Sequence, residues 1–229
     1  MFRNKTVGAV ILAAGKSERM SGEVNKVYRE VGGKPVLLHS IDAFGGSGFV
    51  DELVLVYNEE DEADLEEKVV SKLDRGLPLK AVTGGEKRQD SSLAGLNELT
   101  AEYAIVHDGA RPNFSLDLLE RLLKAASENR AAFPGIRPVD TIRKKKGGFA
   151  GPTLDRDELV RVQTPQCFER SLLLEALEES VKRRNYYTDD GGAVMDYWEL
   201  NPKVVSGERE NVKLTTEKDM RFAELLFSR

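Results

Sequence analysis

Three loops in this sequence hold residue types suited to gripping anions, and each follows an apolar, strand-like run. The first reads Leu12-Ala13-Ala14-Gly15-Lys16-Ser17-Glu18-Arg19-Met20, with Asn25-Lys26-Val27-Tyr28 close behind. Gly15-Lys16-Ser17 invites comparison with a P-loop, but that motif needs glycine at position 10, where Val10 stands. A dinucleotide fingerprint fails at Ser17 and Met20. What remains is a turn of small residues, Ala13-Ala14-Gly15, through which backbone N–H groups can approach a ligand closely. Arg19 and Lys26 add two cations able to offset the charge of a triphosphate. A solvated charged loop accounts for the same residues equally well, so local composition leaves both readings open.

The second loop is Thr83-Gly84-Gly85-Glu86-Lys87-Arg88-Gln89-Asp90-Ser91. Its glycines could frame a planar base, with the Ser91 end reading the edge. A left-handed turn followed by a helix cap at Ser91 is an equally good account. The third is His107-Asp108-Gly109-Ala110-Arg111-Pro112. Asp108 could accept substrate hydroxyls or hold a metal ion, and Arg111 could orient a phosphate or the loop itself. His107, ending a strand, reads as a core side chain rather than a base.

These loops need a scaffold, and the chain supplies one by alternation. Strand-like runs stand at 7–14, 51–57, 77–82, 103–107 and 131–136, and helical stripes at 36–44, 61–73, 91–99, 116–126 and 172–184. Leu65, Val69 and Leu73, four apart, mark one apolar face. A repeating strand–helix order implies an α/β domain with a mostly parallel, Rossmann-like sheet and helices on both faces. Ligands of such sheets gather at the carboxyl ends of the strands. The run at 7–14, preceded by Arg3 and Lys5, superficially resembles a signal-peptide core. Its β-branched content and the turn at Gly15 favour a buried strand. VKLTT at 212–216 follows a further strand, and Thr216 with Asp219 has the spacing of a capping box ahead of the last helix.

Residues 136–166 break the rhythm. VDTIRK alternates, KKKGG is a turn signal, and an extended stretch returns, which predicts a β-hairpin arm over 137–163. A polar two-stranded ribbon is marginal alone, so packing against a second copy of the chain is expected, giving a homodimer.

Composition bounds the rest. The chain has 229 residues, with 34 Lys and Arg against 39 Asp and Glu and a net charge of −5. A length of this order predicts one domain, 1–229, able to bury roughly 70 % of its surface without staples. One cysteine, Cys167, and two histidines, His39 and His107, exclude an intramolecular disulfide and a Cys/His zinc cluster. The acidic balance speaks against a nucleic-acid partner, and no apolar run predicts a membrane span. Tyr197 and Trp198 read as core or interface. A cytoplasmic protein is expected.

Taken together, AAGKSERM, NKVY, GGEKRQDS, VHDGARP, DTIRK, VQTPQCF, TDD and NVKLTT resemble the 2-C-methyl-D-erythritol 4-phosphate cytidylyltransferases, in order and from about residue 5 to the C-terminus. The glycine turn is shared with many sugar nucleotidyltransferases, whereas HDGARP and TPQ are far more selective. The resemblance implies the nucleotide-diphospho-sugar transferase fold. It also implies that Arg19 and Lys26 stabilise the pentavalent phosphorus transition state, and that Ala13, Ala14, Gly15, Gly85, Glu86 and Ser91 hold CTP. Asp108, Arg111, Thr164 and Thr188 would then bind methylerythritol phosphate. Thr141 and Arg156, on the arm, would enter the partner's site, and Lys213 would reach the phosphates at the reaction centre. Ser17 and Asn25 depart from the family's usual glycine and proline. Gly109 often gives way to alanine there, and Asp190-Gly191-Gly192-Ala193 stands where an acid-containing run is common.

The implied reaction is attack of a phosphate oxygen on the α-phosphorus of CTP with release of pyrophosphate. A phosphomonoester, with a second pKa near 6, is a dianionic nucleophile at neutral pH and needs no base, which suits a chain with so few histidines. Mg²⁺ is expected, held chiefly by triphosphate oxygens and water, with Asp108 as the one protein ligand worth considering. Rival readings are a cytidylyltransferase acting on ribitol 5-phosphate and a nucleotide-binding protein without catalysis.

Overall fold

The computed structural model describes residues 1–15, 25–73 and 78–228. Its centre is an eight-stranded mixed sheet. The strands that carry the site are β1 (Val7–Leu12), β4 (Glu52–Tyr57), β5 (Leu79–Thr83) and β6 (Tyr103–Asp108), all parallel, in the order β6-β1-β4-β5. Beyond β6 lie β11 (Gln166–Glu169), antiparallel to it, then β7 (Ala131–Ile136), which also pairs β12 (Lys203–Ser206) and β10 (Arg161–Val162). A small hairpin, β2 (Glu30–Val31) with β3 (Lys34–Pro35), sits apart.

Strand alternation divides the core in two. Val7, Ala9 and Ile11 of β1, Leu53 and Leu55 of β4, and Ile105 of β6 face one side. There they meet Leu37, Ile41 and Phe44 of α1 (Val36–Gly45), Leu65 of α2 (Glu62–Lys68) and Leu119, Leu122 and Leu123 of α4 (Leu116–Asn129). Val10, Val54, Val56, Ala104 and Val106 face the other side. They pack on Leu96 of α3 (Arg88–Glu98), Leu173 and Leu177 of α5 (Arg170–Lys182), and Ala193 and Val194 of α6 (Asp190–Trp198). Burial on both faces explains why these strands read as unbroken apolar runs. The last helix, α7 (Glu217–Phe227), is capped at Thr216, whose hydroxyl accepts the Asp219 N–H, while Asp219 Oδ2 accepts the Thr216 N–H at 2.8 Å. Met220 and Ala223 cluster with Val31, Val36 and Leu214.

Several expectations shift by a few residues. The stripe at 61–73 is α2 flanked by short 3₁₀ turns at Glu59–Asp61 and Val70–Lys72. The helix expected from Ser91 begins three residues earlier, at Arg88, so Ser91 lies inside it and does not cap it. Gly84 and Gly85 are not left-handed. Gly84 is small because a Cβ there would lie 2.4 Å from Ala14 Cβ and 2.7 Å from Ser91 Oγ.

The arm is shorter in its paired part than 137–163. β8 (Arg143–Lys146) pairs antiparallel with β9 (Phe149–Thr153) around Gly147 and Gly148, both at positive φ, as a tight hairpin turn requires. Arg161 and Val162 have already rejoined the main sheet beside β7. Phe149, at the turn, is 81 % exposed. Tyr197 and Trp198 are neither fully core nor free: both are partly exposed, they stack edge to face, and the Trp198 indole donates to Leu172 O at 3.0 Å.

Candidate active site

Because β1, β4, β5 and β6 run parallel, their carboxyl ends share one edge, and the three chemistry-bearing loops leave from it. They enclose a cleft of about 490 Å³. Ala13, Ala14 and Gly15 form one wall, Gly84, Gly85, Glu86 and Ser91 the other, and Lys26, Asp108 and Lys213 converge on it. The walls are fixed by the backbone. The Ala13 N–H donates to Val56 O and the Gly84 N–H to Tyr57 O, both at 2.7 Å. Ser91 Oγ accepts the Gly85 N–H at 3.2 Å. Asn25 ties the first loop together: its Nδ2 donates to Gly15 O at 3.0 Å and to Asp61 Oδ2 at 2.8 Å, directly beside Lys26. Arg19, Ser17 and Lys16 lie outside the described residues.

A smaller pocket of about 270 Å³ adjoins the cleft, lined by Asp108, Arg111, Thr164 and Thr188 together with Gln163, Gln166 and Asp189. Arg88, Asp108 and Lys213 line both spaces. Asp108 is the hub. Its Oδ2 accepts from Lys213 Nζ at 2.8 Å and its Oδ1 from Arg88 Nε at 3.2 Å, and Arg111 Nε lies 3.5 Å from Oδ2. Burial alone would raise the Asp108 pKa, but Arg88, Lys213 and Arg111 outweigh it and hold the carboxyl well below the usual range. Arg88 also donates through Nη1 to Asp190 Oδ2 at 2.7 Å. Burial would lower its pKa, and Asp190 and Asp108 more than reverse that.

The segment after β12 delivers Lys213. Arg111 Nη1 donates to Asn211 O at 2.9 Å, Gln163 Nε2 to Asn211 O at 3.1 Å, and the Leu214 N–H to Ala110 O at 2.8 Å. Thr164 is held by the same network, its carbonyl accepting from Asn211 Nδ2 at 2.8 Å.

His107 is a core residue, packed in a three-ring cluster with Phe44 and Phe114, whose ring centroids lie 5.4 and 4.8 Å away. Thr164 Oγ1 accepts the Asp108 N–H at 3.0 Å, which leaves its hydroxyl proton for His107 Nδ1 at 3.2 Å. Nε2 therefore carries the ring proton and donates to Arg111 O at 2.9 Å. Burial drives the His107 pKa down to about 3, so the ring is neutral at pH 7.

Thr141 and Arg156 are not brought to either space in their own chain; both are exposed on the arm, and Arg156 Nη1 donates to Val139 O at 2.7 Å. Sequence reasoning missed Arg88 and Asp190 as members of the cluster. Arg88 lay within the quoted GGEKRQDS loop, but nothing local marks its reach to Asp190, 102 positions away. Among the described residues no group of three or more His, Cys, Asp or Glu side chains could hold a metal ion.

Comparison with known proteins identifies the family. The sequence model of 2-C-methyl-D-erythritol 4-phosphate cytidylyltransferase matches residues 7–229. The chain belongs to that family. The enzyme of this name from Caldanaerobacter subterraneus subsp. tengcongensis is 37 % identical over 222 residues, covering 96 % of this chain and 97 % of the relative. That from Geobacillus kaustophilus is 36 % identical over 222 residues, 96 % of each. Among solved structures, 4-diphosphocytidyl-2C-methyl-D-erythritol synthase from Anaerococcus prevotii superposes with a TM-score of 0.85 at 30 % identity, covering 98 % of this chain and 99 % of that one. The Thermus thermophilus cytidylyltransferase gives 0.81 at 28 % identity, covering 98 % and 100 %. The α/β fold expected from the sequence is therefore the family's fold, and the chain is a nucleotidyltransferase. Among the described residues no helix is long and apolar enough to cross a membrane.

Proposed function

We propose that the cytidylyl transfer of this family, from CTP to 2-C-methyl-D-erythritol 4-phosphate, is carried out in this chain across the two adjoining spaces. CTP occupies the larger cleft, against Ala13, Ala14, Gly15, Gly85, Glu86 and Ser91. The alcohol phosphate occupies the smaller pocket, with its hydroxyls toward Asp108 and its phosphate toward Arg111, Thr164 and Thr188. The observation that carries this reading is that Asp108 and Lys213 line both spaces, so the reacting ends of two ligands would meet there.

A phosphate oxygen forms the new bond to the α-phosphorus as the bond to the leaving pyrophosphate breaks. The nucleophile is already dianionic near pH 7, so no side chain has to take a proton. That fits a site whose one histidine is buried and neutral. The chain's task is to bring two anions together in line and stabilise the charge that moves. Lys26, Lys213 and Arg19 serve the triphosphate and the transition state. Mg²⁺ bound to the triphosphate would neutralise and orient its oxygens. Asp108 does not fit as its ligand, because both carboxylate oxygens already face cations.

The exposed arm is read as the dimer contact, offering Thr141 and Arg156 to the alcohol phosphate of a second copy. What supports this is a two-stranded ribbon separate from the main sheet, with Phe149 uncovered at its turn. The working enzyme is a cytoplasmic homodimer on this account. Replacing Lys26 or Arg19 by alanine tests the catalytic assignment. Turnover is expected to fall more than KM rises, since charge peaks in the transition state. A rise in KM alone would remove both residues from that role.

A further inference from the structure

Arg88 serves neither substrate assignment above, yet it lines both spaces. It opens α3 directly after Gly84-Gly85-Glu86-Lys87, and its guanidinium crosses the site to two carboxylates on separate elements. Asp108 ends β6. Asp190, 1 % exposed, is the first residue of α6 and follows Thr188 and Asp189, which wall the smaller pocket. One planar fork thus fastens the end of the nucleotide loop to the floor and to the wall of the neighbouring pocket.

The cluster is also not closed on itself. Three cations, Arg88, Arg111 and Lys213, face two carboxylates, Asp108 and Asp190. Arg88 Nη2, Arg111 Nε and Asp190 Oδ1 are buried without a hydrogen-bond partner. The smaller pocket itself is lined by three cations, Arg88, Arg111 and Lys213, against two carboxylates, Asp108 and Asp189, an excess that suits an anionic ligand.

We propose that Arg88 is a positioning residue for the alcohol phosphate: it keeps Asp108 and the Thr188–Asp190 wall in register with the nucleotide loop, so that seated CTP sets the geometry of the second substrate's pocket. This rests on the assignment of the two substrates to the two spaces. Lysine does not reproduce the role, because all its donors sit on one nitrogen, whereas Arg88 meets Asp108 through Nε and Asp190 through Nη1 on one rigid plane. Asp190→Asn perturbs the wall side while leaving the Arg88–Asp108 contact, and so provides a second variant should Arg88→Lys fold poorly.

The test measures pyrophosphate release with each substrate varied, calorimetric binding of CTP alone, and binding of methylerythritol phosphate with and without a non-hydrolysable CTP analogue. For Arg88→Lys and Asp190→Asn, CTP alone is expected to bind within about threefold of the wild type. The KM for methylerythritol phosphate is expected to rise at least tenfold, and the analogue's enhancement of its binding to be lost. A lower melting temperature with both KM values unchanged would overturn the proposal, as would an equal rise in both. Failure of the wild type to turn over these substrates would instead overturn the reaction assignment.

Discussion

Asp108 is the residue whose removal separates the electrostatics of this site from its chemistry. Its side chain is 10 % exposed and lies within 3.5 Å of Lys213, Arg88 and Arg111. Asp108→Asn keeps the shape but leaves three cations with Asp190 as their remaining carboxylate. Breaking one member out of a buried ionic cluster costs about 3–5 kcal/mol, because charge is left uncompensated. For a chain of this length that corresponds to a fall in Tm of roughly 10 °C. Lys213→Met acts in the opposite sense. Lys213 is 37 % exposed, its pair with Asp108 is partly screened, and its loss relieves the cationic excess. The stability cost should be at most about 1 kcal/mol, while turnover falls by about 10²–10³-fold. Thermal melts and steady-state rates on the two variants check this. The pH dependence sharpens it. Asp108 has a depressed folded pKa, so its contribution is present above the unfolded value near 3.9 and is lost as pH falls below it. The stability gap between wild type and Asp108→Asn should be constant from pH 8 to 5, begin to narrow below about pH 4 and close only as pH approaches the much lower folded pKa. An Asp108→Asn protein melting within about 2 °C of the wild type, or Lys213→Met melting as low as Asp108→Asn, would refute the charge accounting.

Three further outcomes follow from other parts of the molecule. His107 is held neutral, with its pKa lowered to about 3, so the unfolded chain binds an extra proton as pH falls from 6.5; about 2 kcal/mol of stability should be lost between pH 6.5 and 5, and His107→Gln should flatten that slope in thermal melts. Gly84→Ala pushes a methyl against Ala14 and Ser91, so CTP should bind more weakly by calorimetry and stability should drop by about 1–3 kcal/mol. If the arm acts across the dimer, inactive Lys26→Ala and inactive Arg156→Ala proteins should regain part of the activity when their subunits exchange; no recovery despite exchange would place Arg156 elsewhere.

How much of this was legible beforehand depended on range along the chain. β1, β4 and β6 announced themselves because burial on both faces forces apolar runs. Gly15, Gly85, Asp108 and Arg111 were marked by position at strand ends, where a parallel sheet collects its ligands. α6 was hidden because Gly191 and Gly192 weaken helix propensity in its first turn. β11 was hidden because Gln166 and Glu169 give a four-residue strand no apolar pattern. The Arg88–Asp190 bridge was illegible for a different reason: it is a tertiary contact between the first residues of α3 and α6, 102 positions apart, and no local pattern records it. The arm's limits were blurred because Arg161-Val162, extended like the hairpin, belongs to the main sheet.

The account stands most directly on a pyrophosphate-release assay that scans CTP, UTP, ATP and GTP against methylerythritol phosphate and ribitol 5-phosphate with Mg²⁺. Release with CTP and methylerythritol phosphate together, and little with either alone or with the other pairs, is the predicted result. Preferred release with ribitol 5-phosphate, or none with any pair, would contradict it.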